Sequence, residues 1–516
     1  MSLVAGSPWI RVERLGLAFS LVIAVLLMWP LRTHATDDTF VHLQYARHLA
    51  QGRGPVLNVG DRVYGCTSPL WVALLADAMV VGMNGLIAAR TIGFLSTLAS
   101  VALFMQLMRR TLRLPSLRAL ATLVFAAHAG IIEWSMSGME TSLAVALTLA
   151  GFVALVEGRQ FGARPVRTGT LWALAALTRP EVVLLLVLWG TLLLIDVHNR
   201  TGLRRLVFAM LPPIVIYGGW LLFARFYFGS FWPRALDLSS LVADGGLRLE
   251  RVWSILRMIF EMDGVKLLLL AVALVFGGKR LWPPGFIAQR LLPAAWLVLL
   301  PCLYVARGFQ VETRHLLLLS PAISWVTWRA AESWWLGDDP ENTSRRQQAT
   351  VLGFVAASLM LVSSLSAYHG TVRPRVERAS ATLRASLIPW GDWLAVHAPP
   401  GSSIAAPEVG VLAYLGNMVV VDLTGRHSPG IIEEGRGRDP AHLAAELRFP
   451  RGVRPDFLVV RSSRAYDLLD KSRYADHLIP IGRAPGWEPR GVPRPDSVYS
   501  FYRVDPVVYA MKDSLD

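Results

Sequence analysis

The sequence predicts a polytopic α-helical membrane protein whose C-terminal end is a separate α/β domain. Three observations predict it. Charged residues make up only 17% of the 516 residues, against about 25% in soluble proteins, and the mean hydropathy is +0.44. Eleven apolar runs are long enough, or nearly so, to cross a bilayer. The basic residues fall in alternate gaps between those runs. This composition excludes a disordered chain, a disulfide-rich secreted module and an ordinary cytosolic enzyme. Two cysteines, Cys66 and Cys302, make no disulfide framework.

A membrane helix needs about 20 largely apolar residues. The eleven candidate spans are 12–31, 85–108, 116–133, 139–156, 168–180, 181–196, 205–227, 264–278, 291–306, 315–333 and 349–367. The first reads as an uncleaved anchor, because Thr33-His34-Ala35 is a poor signal-peptidase site and the run is long. The apolar stretch 69–83 is too short to cross. It reads as a helix at the outer interface, within a first outer loop of about 32–84.

The formal net charge of +14 would suit nucleic acid, but basic residues of a membrane protein collect in cytoplasmic loops. Eleven crossings place six basic clusters on one face. They are Arg11 with Arg14, Arg109 to Arg118, Arg159 to Arg167, Arg200 to Arg205, Lys279 to Arg290, and Arg345 with Arg346. That face is therefore read as cytoplasmic, with the N-terminus inside and residues 368–516 outside. The division is a membrane domain of 1–367 and an extracytoplasmic domain of 368–516. In the latter, short β-branched runs at 403–407, 418–423 and 456–460, bounded by Gly and Pro, read as strands, and 440–448 as a helix.

The chemistry gathers at the outer ends of the spans. Asp37 and Asp38 follow the first span and open a segment with apolar residues at 40, 43, 46 and 50, which is helical spacing ended by Gly52. One aspartate would serve as an N-cap. Two adjacent carboxylates repel, which raises one pKa and suits a general base or a cation site. Glu140 opens the fourth span, Arg179 and Glu181 turn between the fifth and sixth, Arg234 follows the seventh, and Glu312, Arg314 and His315 open the tenth. Taken singly, each arginine reads as a snorkelling side chain and each glutamate as a helix N-terminal charge. Their common placement favours a shared cavity. His34, His42 and His48 lack metal-ligand spacing on one face, so no metal site is assigned there.

A specific chemistry fits this set. An outward-facing transferase needs a sugar donor that crosses the membrane, such as a polyprenyl phosphate-linked sugar. Its phosphate leaves readily. A carboxylate must take the proton from the acceptor hydroxyl, and cations must hold the phosphate. Asp37 and Asp38 supply the first. Arg179, Arg234, Arg314 and His315 supply the second. No cofactor is assigned from the sequence, and the acid pair could hold a divalent cation.

Residues 37–58, which include Asp37, Asp38, Tyr45, Arg47, Gly52, Gly54 and Asn58, resemble the first outer loop of bacterial GT-C glycosyltransferases. So does the continuation Gly60-Asp61-Arg62-Val63-Tyr64-Gly65-Cys66-Thr67-Ser68-Pro69-Leu70-Trp71. The resemblance is to proteins like the mycobacterial terminal β-(1→2)-arabinofuranosyltransferase. Gly138-Met139-Glu140-Thr141, Arg179-Pro180-Glu181, Tyr227-Phe228-Gly229 with Pro233, and Arg314-His315 with Pro321 match as well, as does Pro399-Pro400-Gly401 with Gly410, Tyr414, Val421 and Asp422.

The resemblance implies a GT-C-like fold and Asp37 as catalytic base with Asp38 as its partner. It also implies that the outer basic residues bind the lipid phosphate. Glu140, Glu181, Glu312, Tyr64 and Trp71 are candidates for the sugar or acceptor pocket. Cys66 stands where Tyr is usual, and Arg234-Ala235-Leu236 replaces a more usual Asn-Thr-Phe, so arabinose does not follow as the sugar. The implied acceptor is an extracytoplasmic glycan or glycolipid, and the implied location is the bacterial plasma membrane. The alternative is a transporter or flippase of lipid-linked glycans, which would show internal repeats and helices broken at the midplane. A glycan-binding protein would need only one anchor.

Overall fold

The computed structural model describes residues 8–157, 164–195, 200–234, 249–277, 287–306, 311–428, 430–431, 440–450, 452–486 and 497–513. The chain forms two compact units. The first comprises Met1–Arg32, Arg90–Leu222 and Leu238–Pro374, and the second Thr33–Ala89, Phe223–Asp237 and Arg375–Asp516. The first outer loop and the segment after the seventh span therefore group with the C-terminal region.

Each expected span coincides with a helix or a bent helix pair. Four are long and apolar enough to cross a membrane by length and composition: Arg11–Leu31, Gly85–Thr111, Gly202–Phe228 and the apolar part of Thr343–His397. A fifth is the pair Pro115–Ala126 and Ala129–Ser135, bent by 51°. The shorter helices Thr141–Val156, Val182–Ile195 and Leu291–Ala306 are apolar too. The span expected at 264–278 lies within a longer helix, Leu249–Gly277.

In the first unit, small residues let helices approach closely, as lipid-embedded packing requires. A Cβ on Gly16 would stand 2.6 Å from the Ala119 Cβ, and one on Gly169 2.3 Å from the Ala209 carbonyl. Pro212 and Pro213 remove two backbone donors, and the helix continues through a π-turn at Ile214–Gly218.

Several arginines expected on one face share carboxylates. Arg109 and Arg118 both pair with buried Glu13, at 2.8 and 2.6 Å. Arg110, Arg164 and Arg167 all pair with Glu157. Glu332 accepts the backbone N–H groups of Arg113 and Leu114. These bonds bring the N-terminal helix and three loops to one end of the unit. Arg159, Lys279 and Arg280 lie outside the described residues.

In the second unit, helix Asp37–Ala50 packs against helix Pro69–Val80. The C-terminal region adds a five-stranded sheet of β1 (Ser403–Ala406), β2 (Val419–Asp422), β3 (Phe457–Ser462), β4 (Leu478–Pro485) and β5 (Val498–Val504), in the order β2-β1-β3-β5-β4. β1 runs parallel to β2 and β3, while β5 runs antiparallel to β3 and β4. Alternation along β5 explains its two faces. Tyr502 and Val504 join the core with Leu458, Leu443 and Phe449. Phe501 points the other way and stacks on Trp390, with ring centroids 4.0 Å apart.

Candidate functional site

The second unit holds the acid pair. Thr36, one residue before the expected cap, caps helix Asp37–Ala50: its Oγ1 accepts from Thr39 N–H at 3.3 Å, and the Thr39 hydroxyl accepts from Thr36 N–H in return. Asp37 is thereby released for another partner. Its carboxylate, 5% exposed, accepts the N–H groups of Gly410 and Val411 at 2.9 Å each. These open the short helix Gly410–Tyr414 that follows β1. Arg47 closes the other end by donating to the carbonyls of Ala413 and Tyr414. Asn58 exchanges two hydrogen bonds with the backbone of Val420, both 2.9 Å.

Burial pushes the Asp37 carboxyl up to about 6 against the pull of the Val411 and Gly410 amides, and the charges of Asp38 and Asp422 add to the rise. Asp38 is half-buried. Next in chain order, Glu408 is buried and receives Arg461 at 2.7 Å; burial outweighs that guanidinium and pushes Glu408 up to about 8. Asp422 ends β2 and binds the Nδ1 of His427 at 2.9 Å. It is held below the usual carboxylate range because hydrogen bonds from His427 and Thr424 outweigh its burial.

The other expected residues of this unit differ in exposure. Tyr64 stacks on Phe228 with centroids 4.8 Å apart, and its carbonyl accepts Arg234 N–H at 2.9 Å. The Arg234 side chain is exposed. Trp71 is fully buried under helix Asp37–Ala50. Cys66 is buried.

The six remaining candidates meet in the first unit. Arg179, 5% exposed, donates to Glu140 at 2.9 Å and grips Glu181 through both NH2 and Nε. Tyr304 donates to Glu181 at 2.9 Å and stands edge-on to His315. His315 Nδ1 accepts from Glu312 N–H, Arg314 pairs with Glu312 at 2.9 Å, and the Arg314 guanidinium lies 5.6 Å over the Trp134 ring. The span-end groups thus form one cluster, with the Arg179 cation already matched by two carboxylates.

A second buried polar group in this unit was missed at the sequence level. His128 sits at the bend between helices Pro115–Ala126 and Ala129–Ser135, and its Nδ1 accepts Ile131 N–H. Its Nε2 donates to Asp263, which also receives Lys266 and the Ser320 hydroxyl. The signal was legible: an aspartate and a lysine three residues apart at the edge of an apolar run are costly unless paired. Among the described residues, no three His, Cys, Asp or Glu side chains gather as metal ligands.

Comparisons with known proteins bear on this arrangement. Residues 376–502 match a domain family described as Domain of unknown function (DUF8728). Over 234 residues the chain is 31% identical to terminal β-(1→2)-arabinofuranosyltransferase of Mycobacterium tuberculosis, an alignment spanning 41% of this chain and 36% of that relative. Among solved structures, ArnT from Cupriavidus metallidurans bound to undecaprenyl phosphate superposes with a TM-score of 0.59 at 13% identity, covering 96% of this chain and 98% of that one. The chain shares the fold of ArnT over nearly the whole length of both.

The likeness in fold extends to the Archaeoglobus fulgidus oligosaccharyltransferase, with a TM-score of 0.56, 11% identity and coverage of 87% of this chain and 69% of that one. It also extends to the mycobacterial arabinofuranosyltransferase AftD, with a TM-score of 0.53, 15% identity and coverage of 94% and 41%.

Proposed function

We propose that this chain is a glycosyltransferase of the plasma membrane. It moves a sugar from a polyprenyl phosphate donor to an extracytoplasmic glycan or glycolipid acceptor, with the second unit on the outer side. The observation that carries this reading is the pairing of two features in the second unit: a partly accessible carboxylate, Asp38, beside the buried Asp37, and an exposed arginine, Arg234, tied by its backbone to Tyr64. The solved ArnT held undecaprenyl phosphate, and the archaeal enzyme AglB was solved with a dolichol-phosphate. Both support a lipid phosphate as the partner.

The roles divide by geometry. Asp37 has both oxygens committed to backbone amides, so Asp38 is the base. The acceptor oxygen bonds to the anomeric carbon as its proton passes to Asp38. The bond from that carbon to the phosphate oxygen breaks, and polyprenyl phosphate departs with the electron pair. Arg234 holds the phosphate and stabilises its growing charge. Arg179 serves as a clamp between Glu140 and Glu181, and Trp71 as core. Tyr64, buried and stacked on Phe228, serves as packing.

Mass spectrometry of the lipids retained by the purified protein identifies the donor class, and turnover of that donor tests the chemistry. Asp38→Asn should keep the bound lipid and lose transfer by about 100-fold or more. Retained turnover in this variant would remove the proposed base. Lipid-glycan translocation in vesicles without any transfer would instead favour a flippase.

A further inference from the structure

In open α/β sheets, ligands bind in the crevice beyond the carboxyl ends of parallel strands. Here β1 and β2 are parallel neighbours, with Ala406 paired to Asp422 at their ends. The chain leaving β1 carries Glu408, and the chain leaving β2 carries Asp422, Thr424 and His427. The proposed reaction uses none of these.

Asp422 is 1% exposed. Its carboxylate accepts Thr424 N–H at 2.8 Å, the Thr424 hydroxyl at 2.6 Å, His427 N–H at 3.0 Å and His427 Nδ1 at 2.9 Å. The first three bonds already fix the loop; the fourth orients a ring. With Nδ1–H given to Asp422, a neutral imidazole keeps its lone pair on Nε2. That atom makes no hydrogen bond among the described residues. The imidazole lies against Gly65, where a Cβ would stand 2.4 Å from its Cδ2, 3.1 Å from Nε2 and 2.7 Å from the Tyr45 hydroxyl. Glycine at 65 lets its backbone approach the ring without a clash, and the His427 side chain keeps 11% of its surface.

The chemistry of the ring specifies the ligand. The lone pair of a neutral imidazole accepts only from an O–H or N–H group. A molecule rich in hydroxyl groups supplies such donors.

We propose that His427, oriented by Asp422, forms a subsite for the acceptor, its Nε2 accepting a hydrogen bond from a sugar hydroxyl other than the one that attacks. This rests on the glycosyltransferase reading above. The C-terminal domain then selects the acceptor, while the first outer helix supplies the base.

The test uses the full-length protein in nanodiscs. A polyprenyl phosphoryl-arabinofuranose is the donor, and an octyl oligoarabinofuranoside and its monodeoxy analogues are the acceptors. His427→Asn keeps an N–H for Asp422 and removes Nε2. It should raise the acceptor KM about tenfold and leave the donor KM unchanged. One deoxy analogue should lose about tenfold in wild type and nothing further in His427→Asn, a pattern a mere loop staple would not produce. An acceptor KM within twofold of wild type, or equal penalties for every deoxy analogue in both proteins, overturns the subsite. If His427→Asn unfolds at a lower temperature, His427→Ala, which leaves Asp422 its bonds from Thr424 and from His427 N–H, is measured in its place against the same two criteria. Wild type that transfers nothing from this donor or from polyprenyl phosphates carrying other pentoses and hexoses overturns the glycosyltransferase reading instead. Direct binding of the octyl glycoside, followed by tryptophan quenching, then decides the subsite by itself: binding lost in His427→Asn upholds it, and unchanged binding overturns it.

Discussion

Asp37→Asn tests Asp37 as the anchor of helix Gly410–Tyr414. In the folded protein both oxygens of Asp37 face backbone donors, Gly410 N–H and Val411 N–H, at 2.9 Å. An asparagine can satisfy only one. Its amide nitrogen would face the other N–H, leaving a buried donor unmet at a cost of about 1–3 kcal/mol. The charge works the other way. The carboxyl is raised from 3.8 to about 6, chiefly by burial, so its ionised form carries a penalty of about 3 kcal/mol. A carboxyl raised on folding contributes stability that is present below its unfolded pKa and lost as pH rises through its folded one.

Asp37→Asn should therefore be less stable than wild type by about 1–3 kcal/mol at pH 5, and the gap should close towards pH 8. Thermal unfolding in detergent, together with limited proteolysis of residues 375–516, measures it at both pH values. A variant as stable as wild type at pH 5, or a gap that stays constant to pH 8, would refute the assignment of Asp37 as an anchor.

Other substitutions probe the remaining roles. Arg179→Ala leaves Glu140 and Glu181 buried without their common cation, and should cost about 3–5 kcal/mol, seen as lost yield of folded protein. Gly410→Ala would push a Cβ to 2.1 Å from the Asp37 carbonyl oxygen. Backbone cannot yield there as a side chain could, so a fall in unfolding temperature larger than that of Asp37→Asn is expected. Arg234→Ala should leave that temperature unchanged and raise the donor KM by about tenfold, the loss of one charge-assisted bond. An unchanged donor KM would shift the phosphate to other cations.

Much of this molecule was legible in one dimension because a bilayer imposes a length and a composition on every helix that crosses it. The apolar runs, the helix beginning near Asp37 and the strands around Ile404, Val420 and Val459 all follow from local pattern. The sharing of Glu13 by Arg109 and Arg118 does not, because it joins residues about a hundred positions apart.

Pattern could not say which carboxylate is spent on structure. Asp37 and Asp38 are chemically identical neighbours, yet Gly410 and Val411, more than 370 residues away, present two amides to Asp37. Arg179 likewise looked like a free cation until Glu140 and Glu181 closed on it. His427 and Asp422 drew no notice as a pair, because the packing of the ring depends on Gly65 from a distant loop. A side chain's type is written in the chain, but its availability depends on which partners the folded backbone brings within about 3 Å, and that is a property of three dimensions.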